Sequence, residues 1–343
     1  MLSSPRLEGG FPIWPDGRVH TTLTHNPSTL RLSSVGPNLQ NIPRGNDSEI
    51  AKWVKECFVA SPGQVLWERD FSAIEAVLVG YFAGSPTYIR FAKLGVHAYL
   101  ASHIANQPAN LGWSDADLRG YFKRLKGELP VVYDTAKRIV HGSNYMMTPR
   151  KMAYEYPETF KTIKDAGKLQ GLYYDLFPEI QLWHKNLCNR VDGTKKRVDD
   201  GTTPVDPWTL GICHVRNPFG YTHRFYNVLD WQRVENEWFS SYGEDAKRLV
   251  AFLPQSTAAA IIKRAGKRLW YDYPNVGETM RLWVHDSIMG EVSPPHLDEC
   301  MEVSRLVMEE PILELPLDPA WNMGPYLTIG TEGKSGQSWA TLH

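Results

Sequence analysis

The chain has 343 residues, 42% hydrophobic and 22% charged, with a formal net charge of −1. These values describe a folded chain able to bury a sizeable core in two or three subdomains, and they argue against disorder. With no global basic footprint, any nucleic-acid partner would have to be met by local positive charge. The four cysteines, Cys57, Cys188, Cys213 and Cys300, lie far apart with no CxxC pair. They read as free thiols of a reducing compartment, not as a disulfide or zinc framework. The opening "MLSSPRLEGGFPIWPDG" lacks the apolar run of a signal peptide, and no stretch approaches membrane-spanning length. A soluble, cytoplasmic protein with no membrane partner is therefore expected.

Residues 1–48 are polar and rich in turn formers, and are expected to be extended chain and loop. "GQVLWERDFS" has strand character and ends near Asp70. "SAIEAVLVGYFAG" predicts a helix, with Ile74, Val77, Leu78 and Tyr81 at helical spacing and Gly84 as its stop. Residues 85–190 are expected to be mostly helical, interrupted by loops such as "NQPANLGWSD". The polar stretch 191–209 is expected to be a loop or insertion, and "GICHVRNPFGYTHRFYN" a hairpin. "LPQSTAAAIIKRAGKRLW" predicts a strong helix leading to two half-buried strands around "VHDSIMGEV". Strands at both ends with a helical block between them give an α+β class, not an alternating parallel sheet.

Asp70 closes one expected strand, and Asp286 sits at the tip of an expected hairpin. Charge at such a join is costly unless something pairs with it. Two carboxylates converging at one sheet edge suit Mg²⁺, which is usually held by one or two carboxylates plus substrate phosphates. Two such ions roughly 4 Å apart can stabilise the attacking and leaving oxygens of an in-line phosphoryl displacement. Taken singly, either Asp reads more simply as a solvated turn residue. In "VVYDTAKRIVHGSNYMM", Tyr133, Lys137, His141 and Tyr145 recur every four residues and form one helical stripe. One ammonium among rings is an odd core face. It suits a triphosphate and a stacked base, although a partly exposed aromatic face would read the same way.

Together these blocks resemble the DNA polymerase I family (family A). "DGRVHTTLTHNPSTLRLSSVGPNLQNIPRG" is similar to the family's lead into its palm, and "DFSAIEAVLVGYFAG" to motif A, Asp-Tyr-Ser-x-Ile-Glu. "KRIVHGSNYMM" resembles motif B, Lys-x-x-x-aromatic-Gly-x-x-Tyr-Gly, and "VHDS" resembles motif C, Val-His-Asp-Glu. "LPQSTAAAIIK" resembles the family's Gln-Gly-Thr-Ala-Ala-Asp helix. The blocks stand in the family's order from about Asp16 to near the C-terminus.

The resemblance implies an antiparallel-sheet palm with a mainly helical fingers subdomain. Residues 1–76 would be the first part of the palm, 77–235 the fingers and 236–343 the second part of the palm. It implies a nucleotidyltransferase of DNA replication, moving deoxynucleotides from dNTPs to a primer 3′-hydroxyl on primer–template DNA. Two Mg²⁺ ions would serve it, with Mn²⁺ as a substitute. Carried over residue by residue, Asp70 and Asp286 would bind the metals, with the Phe71 carbonyl assisting. Glu75 would lie under the sugar and exclude a 2′-hydroxyl. Lys137 would contact the triphosphate as a further catalytic residue, His141 would line the dNTP site, and Tyr145 would help place the templating base. Arg31, Asn38, Gln40 and Gln255 would touch primer or template, and His285 would support the primer terminus.

The departures are Tyr133 for an Arg, His141 for Phe or Tyr, and Met146 for the second Gly of motif B. To these are added Ser287 for the acidic residue after Asp286, Lys247 for an Arg and Ser256 for the Gly after Gln255. Arg138, one position round the helix, is not expected to replace the Arg missing at Tyr133. The family also carries a thumb and often a 3′–5′ exonuclease domain before the palm. Their absence here would weaken the grip on duplex, so a separate polypeptide supplying them, or a fragment, is expected. These departures suit a phage or other divergent replication system, placing the protein in a host cytoplasm.

"GTEGKSG" lacks the first glycine of a phosphate-binding loop, having Thr328 there, and "HGSNY" lacks the glycines of a serine nucleophile elbow. The competing function is a non-catalytic nucleic-acid-binding subunit or fragment derived from a polymerase core. An RNA-synthesising relative is a third reading, opposed by Glu75.

Overall fold

The structure, a computed structural model, describes residues 11–25, 27–42, 49–196, 209–234 and 237–342. In chain order, β1 (Thr22–Thr24), β2 (Ser33–Val35), α1 (Glu49–Glu56) and β3 (Val65–Phe71) come first. A helical run follows: α2 (Ile74–Ala83), α3 (Pro86–Leu94), α4 (Val96–Ile104), α5 (Asp115–Glu128), α6 (Pro130–Asn144), α7 (Pro149–Glu155), α8 (Ile163–Leu176) and α9 (Pro178–Cys188). Then come β4 (Gly193–Lys196), β5 (Thr209–Arg216), β6 (Thr222–Phe225), β7 (Leu229–Val234), β8 (Glu237–Tyr242), α10 (Ala246–Asp272) and α11 (Pro274–Gly277). The chain finishes with β9 (Met280–Val284), β10 (Ser287–Val292), α12 (Leu297–Met308), β11 (Ile312–Pro316), β12 (Tyr326–Leu327) and β13 (Thr331–Gly336). This is an α+β fold with antiparallel sheets. None of the described helices is long and apolar enough to cross a membrane, and all four cysteines are free.

Local chemistry explains the helix ends. Ser85, Ser114, Thr148 and Thr162 each accept a backbone N–H three residues on, starting α3, α5, α7 and α8. Pro86 and Pro149 occupy the first turn, where a missing N–H costs nothing. Gly84 ends α2 with φ 68°, a left-handed cap suited to glycine.

Several elements differ from the sequence reading. The described part of residues 1–48 forms the β1–β2 hairpin and a 3-10 turn at Leu39–Asn41. Within the polar stretch 191–209, residues 193–196 pair with β5 as β4, because backbone pairing asks no apolar side chains of an edge strand. Residues 197–208 of that stretch lie outside the described residues. Helix α10 begins at Ala246, ahead of the apolar block, and carries Pro254 inside it. Strand β10 is buried along its whole length, not half-buried, because it is an inner strand covered on both faces.

The chain divides into two compact units: Met1–Ser72, Ala258–Pro316 and Tyr326–His343 form the first, Ala73–Thr257 and Leu317–Pro325 the second. In the first unit, a four-stranded antiparallel sheet has the order β13-β3-β10-β9. Strand β3 alternates strictly between buried and half-buried residues. Trp67, Arg69 and Phe71 occupy one face, where the Arg69 guanidinium donates to the Met301 carbonyl of α12. Leu66, Glu68 and Asp70 occupy the other. There, Leu66 packs with Met289, Trp339, Leu342 and Phe58 at one end, while Asp70 stands at the opposite end of the row.

The second unit holds α2–α9 around an aromatic core that includes Tyr88, Phe91, Tyr99, Phe122, Tyr173 and Phe177. Its polar hub is Asn144, the last residue of α6. Its buried side-chain oxygen accepts from the hydroxyls of Tyr88 (2.9 Å) and Tyr173 (2.5 Å). Its carbonyl lies 3.0 Å from Nε2 of His184. Beyond the helices, β4, β5, β7 and β8 form a sheet with β6 paired to β5.

One close approach sets the register of the first unit's sheet. Gly290 pairs with Trp67 across β10 and β3, and a Cβ at position 290 would lie 2.2 Å from the indole nitrogen. Gly290→Ala is expected to lower stability by about 2–3 kcal/mol through overpacking. Adding Trp67→Phe should recover part of that loss, because the two residues are in contact. Urea unfolding of both variants checks this, and an unchanged midpoint in the single variant would contradict it.

Candidate functional site: a carboxylate edge and a basic helix face

In the first unit, β3 and β10 bring the two sequence-selected aspartates to the same end of the sheet. Asp70 stands opposite Ser287, the residue after Asp286, and the Phe71 N–H donates to the Asp286 carbonyl at 3.2 Å. Burial pushes Asp70 up to about 7, and the neighbouring Glu68 and Asp286 carboxylates push the same way. Glu332, directly opposite on β13, adds to this, while Lys334 opposes it. Positive charge brought to this end of the sheet would favour the ionised form of Asp70. The Arg31 guanidinium lies 3.6 Å from the Asp286 carboxylate and is a counter-charge to it. Among the described residues no group of three or more His, Cys, Asp or Glu side chains could hold a metal alone. Two neighbouring carboxylates, with Asp70 held up by burial, fit a hard divalent cation that takes its remaining ligands from substrate and water.

The other residues selected from this unit lie close by in the chain's own framework. Gln40 donates its side-chain amide to the Trp283 carbonyl (3.0 Å), which ties it to β9 two residues before His285. The Asn38 side chain accepts from the Gln40 N–H at 3.1 Å and caps the 3-10 turn. His285 is the exposed first residue of the two-residue turn between β9 and β10.

In the second unit, α6 carries Tyr133, Lys137 and His141 on one face, with Lys137 and His141 exposed. Tyr145 is not on the helix but caps it. Its ring stands edge-on to His141 at 5.5 Å, and its hydroxyl donates to the Glu75 carboxylate of α2. Two residues without a sequence signal join this face. His97 of α4 sits edge-on to Tyr133 at 6.0 Å, and the Lys126 ammonium of α5 lies 5.3 Å over the Tyr133 ring. Burial holds His97 down to about 4, with Lys137, His141 and Lys126 adding to the effect. That histidine is neutral beneath three basic side chains. Arg138 is committed elsewhere, to Glu158, Thr159 and the Tyr156 ring. Gln255 is half-buried on α10, beside Ser256, whose hydroxyl accepts from Asn217 at 3.0 Å.

Backbone strain tracks these residues. Six non-glycine residues among those described have φ above zero: Leu30, Ala73, Asn106, Met146, His285 and Asn322. Four of the six flank selected positions: Leu30 precedes Arg31, Ala73 lies between Phe71 and Glu75, Met146 follows Tyr145, and His285 precedes Asp286. Left-handed backbone outside glycine costs energy and tends to collect where geometry matters for function. At Met146 the reason is visible. The Met147 N–H reaches the Gly142 carbonyl (2.8 Å) and the Met146 N–H the Ser143 carbonyl (3.3 Å). Those two bonds close a helix end whose left-handed position is usually glycine.

The first unit thus offers neighbouring carboxylates at one end of its sheet, and the second a basic, aromatic helix face. The family model described as DNA polymerase family A matches residues 12–199, and the chain belongs to that family. Curated relatives include the thermostable DNA polymerase I of Thermus thermophilus, 25% identical over 313 residues, covering 90% of this chain and 32% of that protein. The DNA polymerase I of Deinococcus radiodurans is 26% identical over 318 residues, covering 90% of this chain and 28% of that protein. The chain thus spans about a third of the length of these relatives. Among solved structures, the fold matches the POL domain of Pol1 from M. smegmatis, determined in complex with DNA primer-template and dNTP. The TM-score is 0.68 at 21% identity, covering 96% of this chain and 49% of that one.

Met146 offers a direct test of the strained helix end. Met146→Gly is expected to raise stability by about 0.5 kcal/mol, the relief of left-handed strain exceeding glycine's entropic cost. Met146→Val should lower it by about 1 kcal/mol or more. Equilibrium unfolding of the two variants checks the order, and a reversed order would show that the strain is not carried there.

Proposed function

We propose that this chain is the palm and fingers of a template-directed DNA polymerase, the first unit serving as palm and the second as fingers. The observation that carries the reading is the β3–β10 pairing, which sets Asp70 and Asp286 at one end of the sheet with Asp70 resisting ionisation. Divalent ions bound there would supply Lewis-acid stabilisation to the attacking 3′-hydroxyl and the leaving pyrophosphate oxygen. The chain's own part is to hold two carboxylates ready and to keep Arg31 beside Asp286 as a counter-charge.

On the fingers side, Lys137 and Lys126 offer ammonium groups to a triphosphate, which is bound as charge without directional forks. His97 stays neutral beneath them. The ring of Tyr145 offers a stacking surface, and its hydroxyl fixes the Glu75 carboxylate. A carboxylate held in one place can exclude a 2′-hydroxyl, which supports deoxynucleotides as substrates. The partners are therefore primer–template DNA and dNTPs, with Mg²⁺ or Mn²⁺ as cofactor. Arg31, Asn38, Gln40, Gln255 and His285 are proposed to contact primer or template.

Primer extension by this chain at low salt tests the reading, because phosphate-driven binding falls steeply with ionic strength. Wild type should extend in a template-directed way with Mg²⁺, and Asp286→Asn should lose at least about 100-fold, as expected for several kcal/mol of lost charge stabilisation. If wild type binds primer–template but does not extend it even with Mn²⁺, the non-catalytic binding subunit takes its place. Glu75→Ala is expected to raise ribonucleotide use relative to deoxynucleotide by about 10–100-fold, and Tyr145→Phe to shift it less in the same direction. Competition between labelled rNTP and dNTP measures both. Unchanged discrimination in Glu75→Ala would remove Glu75 from sugar selection.

A further inference from the structure

Strand geometry places Glu68 on the same face of the sheet as Asp70. It lies two residues before Asp70 on β3 and shares its half-open face, opposite Met289 on β10 and Lys334 on β13. Its carboxylate accepts from the Ser287 hydroxyl at 2.9 Å. Ser287 follows Asp286 directly and stands opposite Asp70. The same hydroxyl also lies 3.0 Å from the Val284 carbonyl. It has one proton, and a charged acceptor makes the stronger bond. Glu68 therefore decides where that hydroxyl points. Ser287 is buried, so its rotamer cannot be re-satisfied by bulk water without cost.

We propose that Glu68 is a positioning residue for the divalent cations of the Asp70–Asp286 edge. It holds Ser287, and through it the start of β10, while placing a third negative charge beside the two aspartates. The inference rests on the reading that Asp70 and Asp286 hold those cations. Glu68 acts from the neighbouring position, not as part of a closed protein cage. The turn it steadies is the one where His285 carries left-handed backbone at φ 53°. A strained two-residue turn keeps its geometry only if its flanks are fixed. Ser287 is that flank on the β10 side.

The charges facing Glu68 name its competing role. Lys334 stands opposite it on β13, with Asp70 and Glu332 in the next rung. If Glu68 served only as a surface counter-charge for Lys334, its loss would touch stability and nothing else.

The test is Mn²⁺ binding to the chain alone, by isothermal titration calorimetry or by the electron paramagnetic resonance of free Mn²⁺, with melting temperatures alongside. Glu68→Gln is expected to weaken Mn²⁺ about tenfold, the lower end of what outer partners of metal ligands contribute. Ser287→Ala should weaken it in the same direction. The exchanged pair, Glu68→Ser with Ser287→Glu, keeps one carboxylate and one hydroxyl facing each other. It should bind Mn²⁺ within about threefold of wild type, whereas Glu68→Ser alone should not. Unchanged Mn²⁺ affinity in a folded Glu68→Gln would overturn the proposal, as would an exchanged pair no better than Glu68→Ser. Asp286→Asn separates the two levels. Loss of binding there with none in Glu68→Gln removes only this inference, while retained binding there removes the reading of Asp286 and this inference with it.

Discussion

The pairing of β3 with β10 is the constraint from which the rest follows. Both strands are inner members of the sheet, so their backbone groups are satisfied on both sides and their register cannot slip. Trp67 needs the space that Gly290 leaves, which pins one rung. Counting along the ladder from that rung places Asp70 opposite Ser287 and the Asp286 turn just beyond it. A slip of one residue would turn Asp70 to the face covered by α12.

That placement has an electrostatic cost. Asp70 is partly buried and faces Glu68, Asp286 and Glu332, all of like charge. A chain selected for stability alone would not gather carboxylates there. Arg31 and Lys334 offset part of the repulsion, and a divalent ion would offset more. The strained residues speak for the same ends. Left-handed backbone at Ala73, Met146 and His285 falls beside Glu75, Tyr145 and Asp286, and each belongs to a different block of the sequence.

The second unit solves a different problem. Its core is built from rings, and buried hydroxyls among rings need acceptors. Asn144 meets that need for Tyr88 and Tyr173, which anchors the end of α6. With that end fixed, the opposite side of α6 can face outward with Lys137 and His141 exposed. Lys126, supplied by α5, adds a charge over Tyr133, where the family's pattern has an arginine.

The sequence by itself determined what local rules control. It showed the α+β class, α2 with its stop at Gly84, the β5–β6 hairpin, and the turn that carries Asp286. Periodicity, caps and turn residues act within a few positions, so these were legible. The order of blocks from "DGRVH" to "VHDS" was enough to name the family. What tertiary structure alone decided is which residues meet across distance. No local pattern announces that Lys126 reaches Tyr133 or that His97 lies neutral beneath α6. Strand β4 lacked apolar alternation and so read as loop. Tyr145 sits at helical spacing from His141, yet leaves the helix because Met146 takes the left-handed position that closes it. Glu68 was the nearest miss: strand alternation alone puts it on the face of Asp70. Only the pairing of β3 with β10 shows that its partner is the serine beside Asp286, because hydrogen bonds between strands are set by register, which the complete sheet determines.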